Sequence, residues 1–264
     1  MIKGFSVPLT PSGLTSMVPT PPWYYVGNTM GVEFVADVNK IAPFLPEGLE
    51  PLDGRCAIYF CDWQTASGEQ PEAYLNPTMS QYKEAALIMS CQYEGKPAAF
   101  CPFIWVDNDG AAMRGQVYGY PKQIAQIGIT RTFHIESKAA PQIEVGGKLG
   151  AYAAADCGRL FEMQLTLEEP CSKLPYPHFA HVIGLRHFPN LNADEGYKPS
   201  VKDLVVGVGG ENRAADGWCG SAKMRIYWNS CPELEAFEPI SVGTGYYSVD
   251  SHTMYSMKVL RDLR

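Results

Sequence analysis

Residues 112 to 123 read Ala112-Met113-Arg114-Gly115-Gln116-Val117-Tyr118-Gly119-Tyr120-Pro121-Lys122-Gln123. Taken as a strand, this stretch puts Met113, Gly115, Val117 and Gly119 on one side. Arg114, Gln116, Tyr118 and Tyr120 fall on the other. Pro121 biases Tyr120 toward extended backbone, which carries the same parity on to Lys122. An unperturbed lysine has a pKa of about 10.4 and is almost wholly protonated at neutral pH. Apolar surroundings disfavour that charge, and Ile124, Ala125, Ile127 and Ile129 follow closely. A lysine deprotonated in this way attacks carbonyl carbon and forms an imine. On the same face, Arg114 would hold a substrate carboxylate through paired hydrogen bonds, and would assist Lys122 as a nearby cation. Gln116 and Tyr118 would steer protons or a carbonyl oxygen. The competing reading is the solvent-facing side of a half-buried strand.

Other chemistries lack their signatures. Val205-Val206-Gly207-Val208-Gly209-Gly210 resembles the start of a nucleotide-binding turn, but Glu211 to Gly217 read as a loop where a helix is required. Asp107-Asn108-Asp109-Gly110 has no calcium loop or closing glutamate and reads as a turn. His178, His181 and His187 lie among loop residues with no complete zinc set, so they read as packing or surface groups and no metal is expected. No GxSxG elbow is present. No cofactor is expected.

The elements that must position Lys122 are strands. With 25 glycines and 21 prolines in 264 residues, the chain is punctuated too often for a long helical bundle. Strands are predicted at Cys56–Trp63, Ala85–Tyr93, Ala98–Val106, Ala112–Tyr120, Ile127–Ile135, Leu160–Leu167 and Lys223–Tyr227, with a hairpin at Asp109-Gly110. Val38–Leu45 reads as one short helix, and residues 1–22 as an irregular arm packed over the body. The expected class is mainly β or α+β, an antiparallel barrel or cone-like sheet with a few short helices, forming one domain over residues 1–264. A formal charge of −7 without any basic run argues against nucleic acid and anionic membranes as partners. Met1 to Ser6 lack the pattern of a secretory signal, and the eight cysteines include no CxxC pair. They read as reduced thiols of a cytoplasmic protein.

Gly119-Tyr120-Pro121-Lys122 resembles the signature around the Schiff-base lysine of the acetoacetate decarboxylase superfamily, whose activated lysine is an established example of the chemistry above. Pro8-Leu9-Thr10 is similar to a short N-terminal element of that family. The run from Ile41 to the Leu45-Pro46-Glu47-Gly48-Leu49 ending is similar to its early helix and turn. Tyr82-Lys83-Glu84-Ala85 resembles the strand start bearing its active-site glutamate. The likeness covers most of the first 150 residues and thins beyond them. It implies a cone-like sheet, a homo-oligomer, Lys122 as the imine-forming residue and Glu84 as general acid/base. Four departures stand out. Gln123 replaces the second lysine of decarboxylating members, and Tyr24 to Thr29 lack their arginine. Gln116 replaces a glutamate six residues before the lysine, and a further glutamate on Cys56–Trp63 is missing, with Tyr59 as the candidate replacement.

The resulting expectation is a Schiff-base lyase acting on a small oxo acid or related carbonyl compound, through aldol or dehydration chemistry. Its catalytic residues would be Lys122 and Glu84, with Arg114, Gln116 and Tyr118 binding substrate. The alternatives are a β-keto acid decarboxylase using the same iminium, and a non-catalytic protein whose tryptophans and tyrosines line a hydrophobic ligand cavity.

Overall fold

The computed structural model describes residues 1–156, 158–171 and 181–264, so His178 and Cys157 lie outside the described residues. In chain order, strand β1 (Trp23–Val35) is followed by helix α1 (Val38–Ile41), which runs into a short 3-10 turn at Ala42–Phe44. Then come β2 (Glu50–Ser67), α2 (Pro77–Ser80), β3 (Gln81–Tyr93), β4 (Lys96–Val106) and α3 (Asp109–Tyr118). Next are β5 (Lys122–Ile124), β6 (Gln126–Ile129), β7 (Lys148–Ala155) and β8 (Gly158–Pro170). The chain continues with β9 (Val182–Phe188), β10 (Val201–Ile226) and β11 (Ser241–Asp262).

These strands form one sheet in the order β11-β1-β2-β3-β4-β9-β10-β8-β7-β6, with β5 added to β4. β10 also pairs with β11 from Asp203↔Asp262 to Ser221↔Thr244, so the seven strands from β11 round to β10 close into a ring. Pairing is antiparallel except for β4 with β5 and β9. The expected cone-like sheet with few short helices is therefore the fold. The arm before β1 is irregular and buries Val18, as read from its prolines.

Period-two patterning gives this ring two different faces. On β2, Cys56, Ile58 and Phe60 join the main apolar core, while Ala57, Tyr59, Cys61 and Trp63 point the other way. On β3, Ala85, Leu87 and Met89 enter the same core, while Tyr82, Glu84 and Ile88 share the face of Tyr59. Core residues of β6, β7 and β8, among them Ile127, Ala153 and Phe161, pack against the first face. The second face is left for the site.

Five local expectations are corrected. Residues 112–120 are not a strand, and Asp109-Gly110 is not a hairpin; residues 109–118 form α3, and Gly119 and Tyr120 are its exit. The Asn108 side chain caps the helix by accepting from the Ala111 amide at 3.0 Å, and Asp109 adds negative charge to the first turn. Ala111, Arg114, Gly115 and Tyr118 are its buried residues, at helical rather than alternating spacing. Ile127–Ile135 pairs only as far as Ile129, and Ile135 is exposed. Glu211–Gly217 is part of β10, accommodated by register shifts and by positive φ at Glu211 and Asp216. Cys171 and Cys219 form a disulfide, because β8–β10 pairing and the Cys171 amide bond to the Gly217 carbonyl bring them to a Cα separation of 5.5 Å.

The Gly-Tyr-Pro-Lys run is the exit from α3. Gly119 takes φ +83°, its amide bonds to the Gln116 carbonyl, and the Tyr120 amide bonds to the Gly115 carbonyl at 2.9 Å. This is the Schellman arrangement, which favours glycine at the left-handed position. Pro121 then forbids helix, and Lys122 returns as β5 beside Ile104 of β4. A Cβ on Gly119 would also meet Arg186 N, Leu185 C and Val205 Cγ2 at 3.0 Å. Gly119→Ala is expected to lower unfolding free energy by about 2–4 kcal/mol, more than Gly95→Ala, where φ is +72° but nothing lies within 4 Å. Urea unfolding of the two variants checks this.

Candidate active site

Lys122 reaches across Ile104 of β4 to Glu84 on β3, and its Nζ donates to Glu84 Oε2 at 2.6 Å. Both side chains are only 8% exposed. Glu84 Oε1 accepts from Tyr59 Oη at 3.0 Å, so each carboxylate oxygen has a buried donor. Burial and the neighbouring Glu84 push the Tyr59 phenol well above its ordinary range, which keeps it a donor. The Lys122 ammonium also sits 5.2 Å from the centre of the Tyr82 ring.

Helix α3 makes room for that lysine. A Cβ on Gly115 would fall on Cγ and Cδ of Lys122, so the lysine stem lies in the groove left by the missing side chain. Arg114, directly before Gly115, and Tyr118, about one turn after it, flank this groove. Arg114 donates to Tyr25 Oη at 3.2 Å and lies 5.2 Å from the Trp23 ring and 5.6 Å from the Tyr25 ring. Among the described residues it has no ion-pair partner. Arg114 Nε and Tyr118 Oη are buried without any hydrogen-bond partner. A buried guanidinium without counter-ion, next to an idle phenol, has the donors and charge to suit a small anion.

These groups surround one cavity of about 170 Å³. It is lined by Lys122, Glu84, Arg114, Gly115 and Tyr118, with Tyr82, Tyr120, Trp63 and His252 among its aromatic walls. His252 of β11 stacks on Tyr25 at 4.6 Å and meets Trp63 edge-on. Burial lowers its pKa below the usual 6.5, so the imidazole is neutral at pH 7. Cys61 and Cys101 feel the Glu84 charge, but burial is the main cause that pushes both thiols up, which leaves them un-ionised.

Four of the five residues singled out in the sequence, Lys122, Glu84, Arg114 and Tyr118, thus meet at one cavity. Gln116 does not. It is exposed on the far side of α3 and donates to the Lys122 carbonyl at 3.3 Å, which places it beside the backbone of the site. The apolar surroundings of Lys122 also differ from expectation: Ile124 is exposed, and the enclosing strand residues come from β1, β2, β3, β4, β9 and β11. Tyr25, Tyr82 and His252 were not identified as site residues. Tyr82 shares the strand parity of Glu84, two residues on, and is within reach of pattern reading. Nothing local marks His252. Among the described residues no three His, Cys, Asp or Glu side chains gather into a metal-binding group.

A family profile described as acetoacetate decarboxylase (ADC) matches residues 6–263. No curated protein sequence matches the chain significantly. Among solved structures, the enduracididine biosynthesis enzyme MppR, complexed with the condensation product of pyruvate and imidazole 4-carboxaldehyde, superposes with a TM-score of 0.92 at 28% identity, over 100% of this chain and 98% of that one. MppR complexed with pyruvate gives 0.91 at 28% identity, over 100% of both chains. An acetoacetate decarboxylase-like enzyme from Sphingomonas wittichii RW1 gives 0.89 at 28% identity, over 98% of this chain and 100% of that one.

Gly115→Ala tests the groove. Its helix-propensity gain of about 1 kcal/mol offsets only part of the cost of separating a buried ion pair, so urea unfolding should show a net loss of about 2–4 kcal/mol. Lys122 should be displaced, and a crystal structure of the variant should show Nζ beyond hydrogen-bond reach of Glu84.

Proposed function

Because the chain belongs to the acetoacetate decarboxylase family, we propose that it is a Schiff-base lyase in which Lys122 converts a small 2-oxo acid into a carbon nucleophile for aldol condensation and dehydration. The observation that carries this reading is the buried 2.6 Å contact between Lys122 and Glu84 in a cavity that also holds an unpaired guanidinium. Family members with this architecture are enzymes, and MppR, at 28% identity, is described in complex with pyruvate and with a pyruvate–aldehyde condensation product.

The geometry supports the following course of reaction. The oxo-acid carboxylate pairs with Arg114 and accepts from Tyr118, which supplies the missing partners of both groups. Glu84 takes a proton from Lys122, whose neutral amine adds to the carbonyl carbon; water leaves, and an iminium remains. Glu84 is then placed to remove a proton from the adjacent carbon, and the electron pair flows into the iminium to give an enamine. That carbon bonds to the carbonyl carbon of a second substrate, whose oxygen takes up a proton. Loss of this oxygen as water gives the conjugated iminium, and hydrolysis returns product and free lysine. Tyr59, facing Glu84 from β2, leaves the cavity with one carboxylate among its described lining residues, and Gln123 beside Lys122 is exposed. Both features favour condensation over β-keto acid decarboxylation.

Incubation with pyruvate and borohydride should leave a stable mass adduct on the Lys122 peptide. Lys122→Arg should abolish adduct and turnover, because a guanidinium stays charged and forms no imine. Trapping at another lysine would remove the role given to Lys122, and no trapping at all would leave a ligand-binding protein as the reading.

Arg114→Ala should reduce kcat/KM for pyruvate by roughly 10- to 100-fold, the loss of a charge-assisted pair worth about 1.5–3 kcal/mol. A neutral ketone of similar size should lose far less. Equal losses, measured in parallel steady-state assays, would remove the carboxylate-anchor assignment.

A further inference from the structure

The Lys122 cavity is not closed on all sides. Trp63, Tyr59, Ile88, Val182 and His252 line it and also line a second chamber of about 500 Å³, so the two spaces share one wall of side chains. The second chamber is bounded by Thr29 of β1, Ala57 of β2, Ile88 of β3, Asn212 to Ala214 of β10, and Asp250 of β11. With Ile104 of β4 and Val182 of β9 on the Lys122 side, every strand of the ring contributes to the two neighbouring spaces.

The two compartments differ in chemistry and size. At about 170 Å³ the inner one lies below the usual range for organic ligands, roughly 300–1,000 Å³, and holds the charged groups. The outer one falls within that range and is walled by Ala57, Ile88, Val182, Trp63 and Tyr246, with Asn212, Arg213 and Asp250 at its exposed rim. Its width has a sequence cause. Ala57, Thr29 and Ala214 present short side chains where the ring could have been filled, and Gly31 lets the Tyr246 phenol lie against β1. The flat faces and edges of Trp63 and the neutral His252 stand at the junction.

We propose that the outer chamber is the acceptor site, and that it selects aldehydes whose body is a flat apolar ring rather than a short alkyl group. This rests on the Schiff-base reading, since it assumes an enamine at Lys122. The acceptor's carbonyl carbon sits at the junction and takes the new bond from the enamine carbon. The carbonyl electron pair moves to oxygen, which is protonated by the proton Glu84 removed, so no oxidant or further reactant is needed. The ring occupies the chamber between Trp63, Ile88 and Val182. A two-carbon aldehyde leaves most of those walls uncovered, whereas a ring covers about 100 Å² more apolar surface, enough for roughly 10- to 100-fold in kcat/KM.

The experiment uses pyruvate as donor, with benzaldehyde and acetaldehyde as acceptors, on the parent and on Ala57→Leu and Ala214→Trp. These two variants fill the chamber from opposite walls, one buried and one exposed, so one remains informative if the other fails to fold. Each variant's rate is divided by its own rate of borohydride trapping with pyruvate, and intrinsic aldehyde reactivity cancels between parent and variant. The expected result is at least a tenfold greater loss for benzaldehyde than for acetaldehyde. Equal losses for both aldehydes, with pyruvate still trapped on Lys122 of the parent, overturn the acceptor site alone. Absence of pyruvate trapping in the parent overturns the Schiff-base reading and this proposal with it.

Discussion

A lysine and a glutamate held 2.6 Å apart inside a protein ring must be supported on every side, because removing two charges from water is costly and only good geometry repays it. The surroundings of Lys122 and Glu84 meet that condition. Tyr59 occupies the second carboxylate oxygen and Tyr82 presents its ring to the ammonium. The pair also joins two elements that are not sequence neighbours, a strand of the ring and the short β5 that follows α3. Whatever displaces either partner leaves an unpaired charge in an aromatic box, so the fold and the reactive contact constrain each other.

The backbone supplies the second half of the constraint. Lysine is long and flexible, and fixing its ammonium requires fixing the path of its stem. Two glycines of α3 do this in different ways. Gly119 ends the helix in a conformation that L side chains rarely adopt, and Gly115 leaves the groove through which the stem passes. Arg114 and Tyr118 flank that groove, so one helix carries the buried guanidinium and phenol and sets the path of the lysine. The ring contributes the enclosure: strands β1, β2, β3, β4, β9 and β11 present side chains to the cavity and others to the core or to solvent.

Much of this was legible in the chain, though not always for the right reason. Lys122 and Glu84 stand in motifs whose residue types announce the chemistry, and the alternation on β2 and β3 identifies buried strands. Arg114 and Tyr118 were grouped with Lys122 by strand parity, yet the segment is a helix. Residues four apart share a face in both geometries, since four is two strand repeats and about one helical turn. Residues two apart do not, and Gln116 is where the two readings separate: the helix turns it away to solvent. The capping role of Asn108 competed with an equally good turn reading of Asp109-Gly110. His252, the wall from β10 and the Cys171–Cys219 bridge depend on strand pairing between distant segments, which no local pattern encodes.

The central claim is that Lys122 and Glu84 together turn a bound oxo acid into an enamine. Its most direct test is the exchange of pyruvate methyl protons in deuterated water, followed by proton NMR without any acceptor present. Enamine formation and reversal should wash the methyl signal out in the parent protein, leave it intact with Lys122→Arg, and slow its loss by roughly 10²- to 10⁴-fold with Glu84→Gln. A methyl signal that persists in the parent at the buffer rate, or that disappears equally fast in Lys122→Arg, would contradict the account.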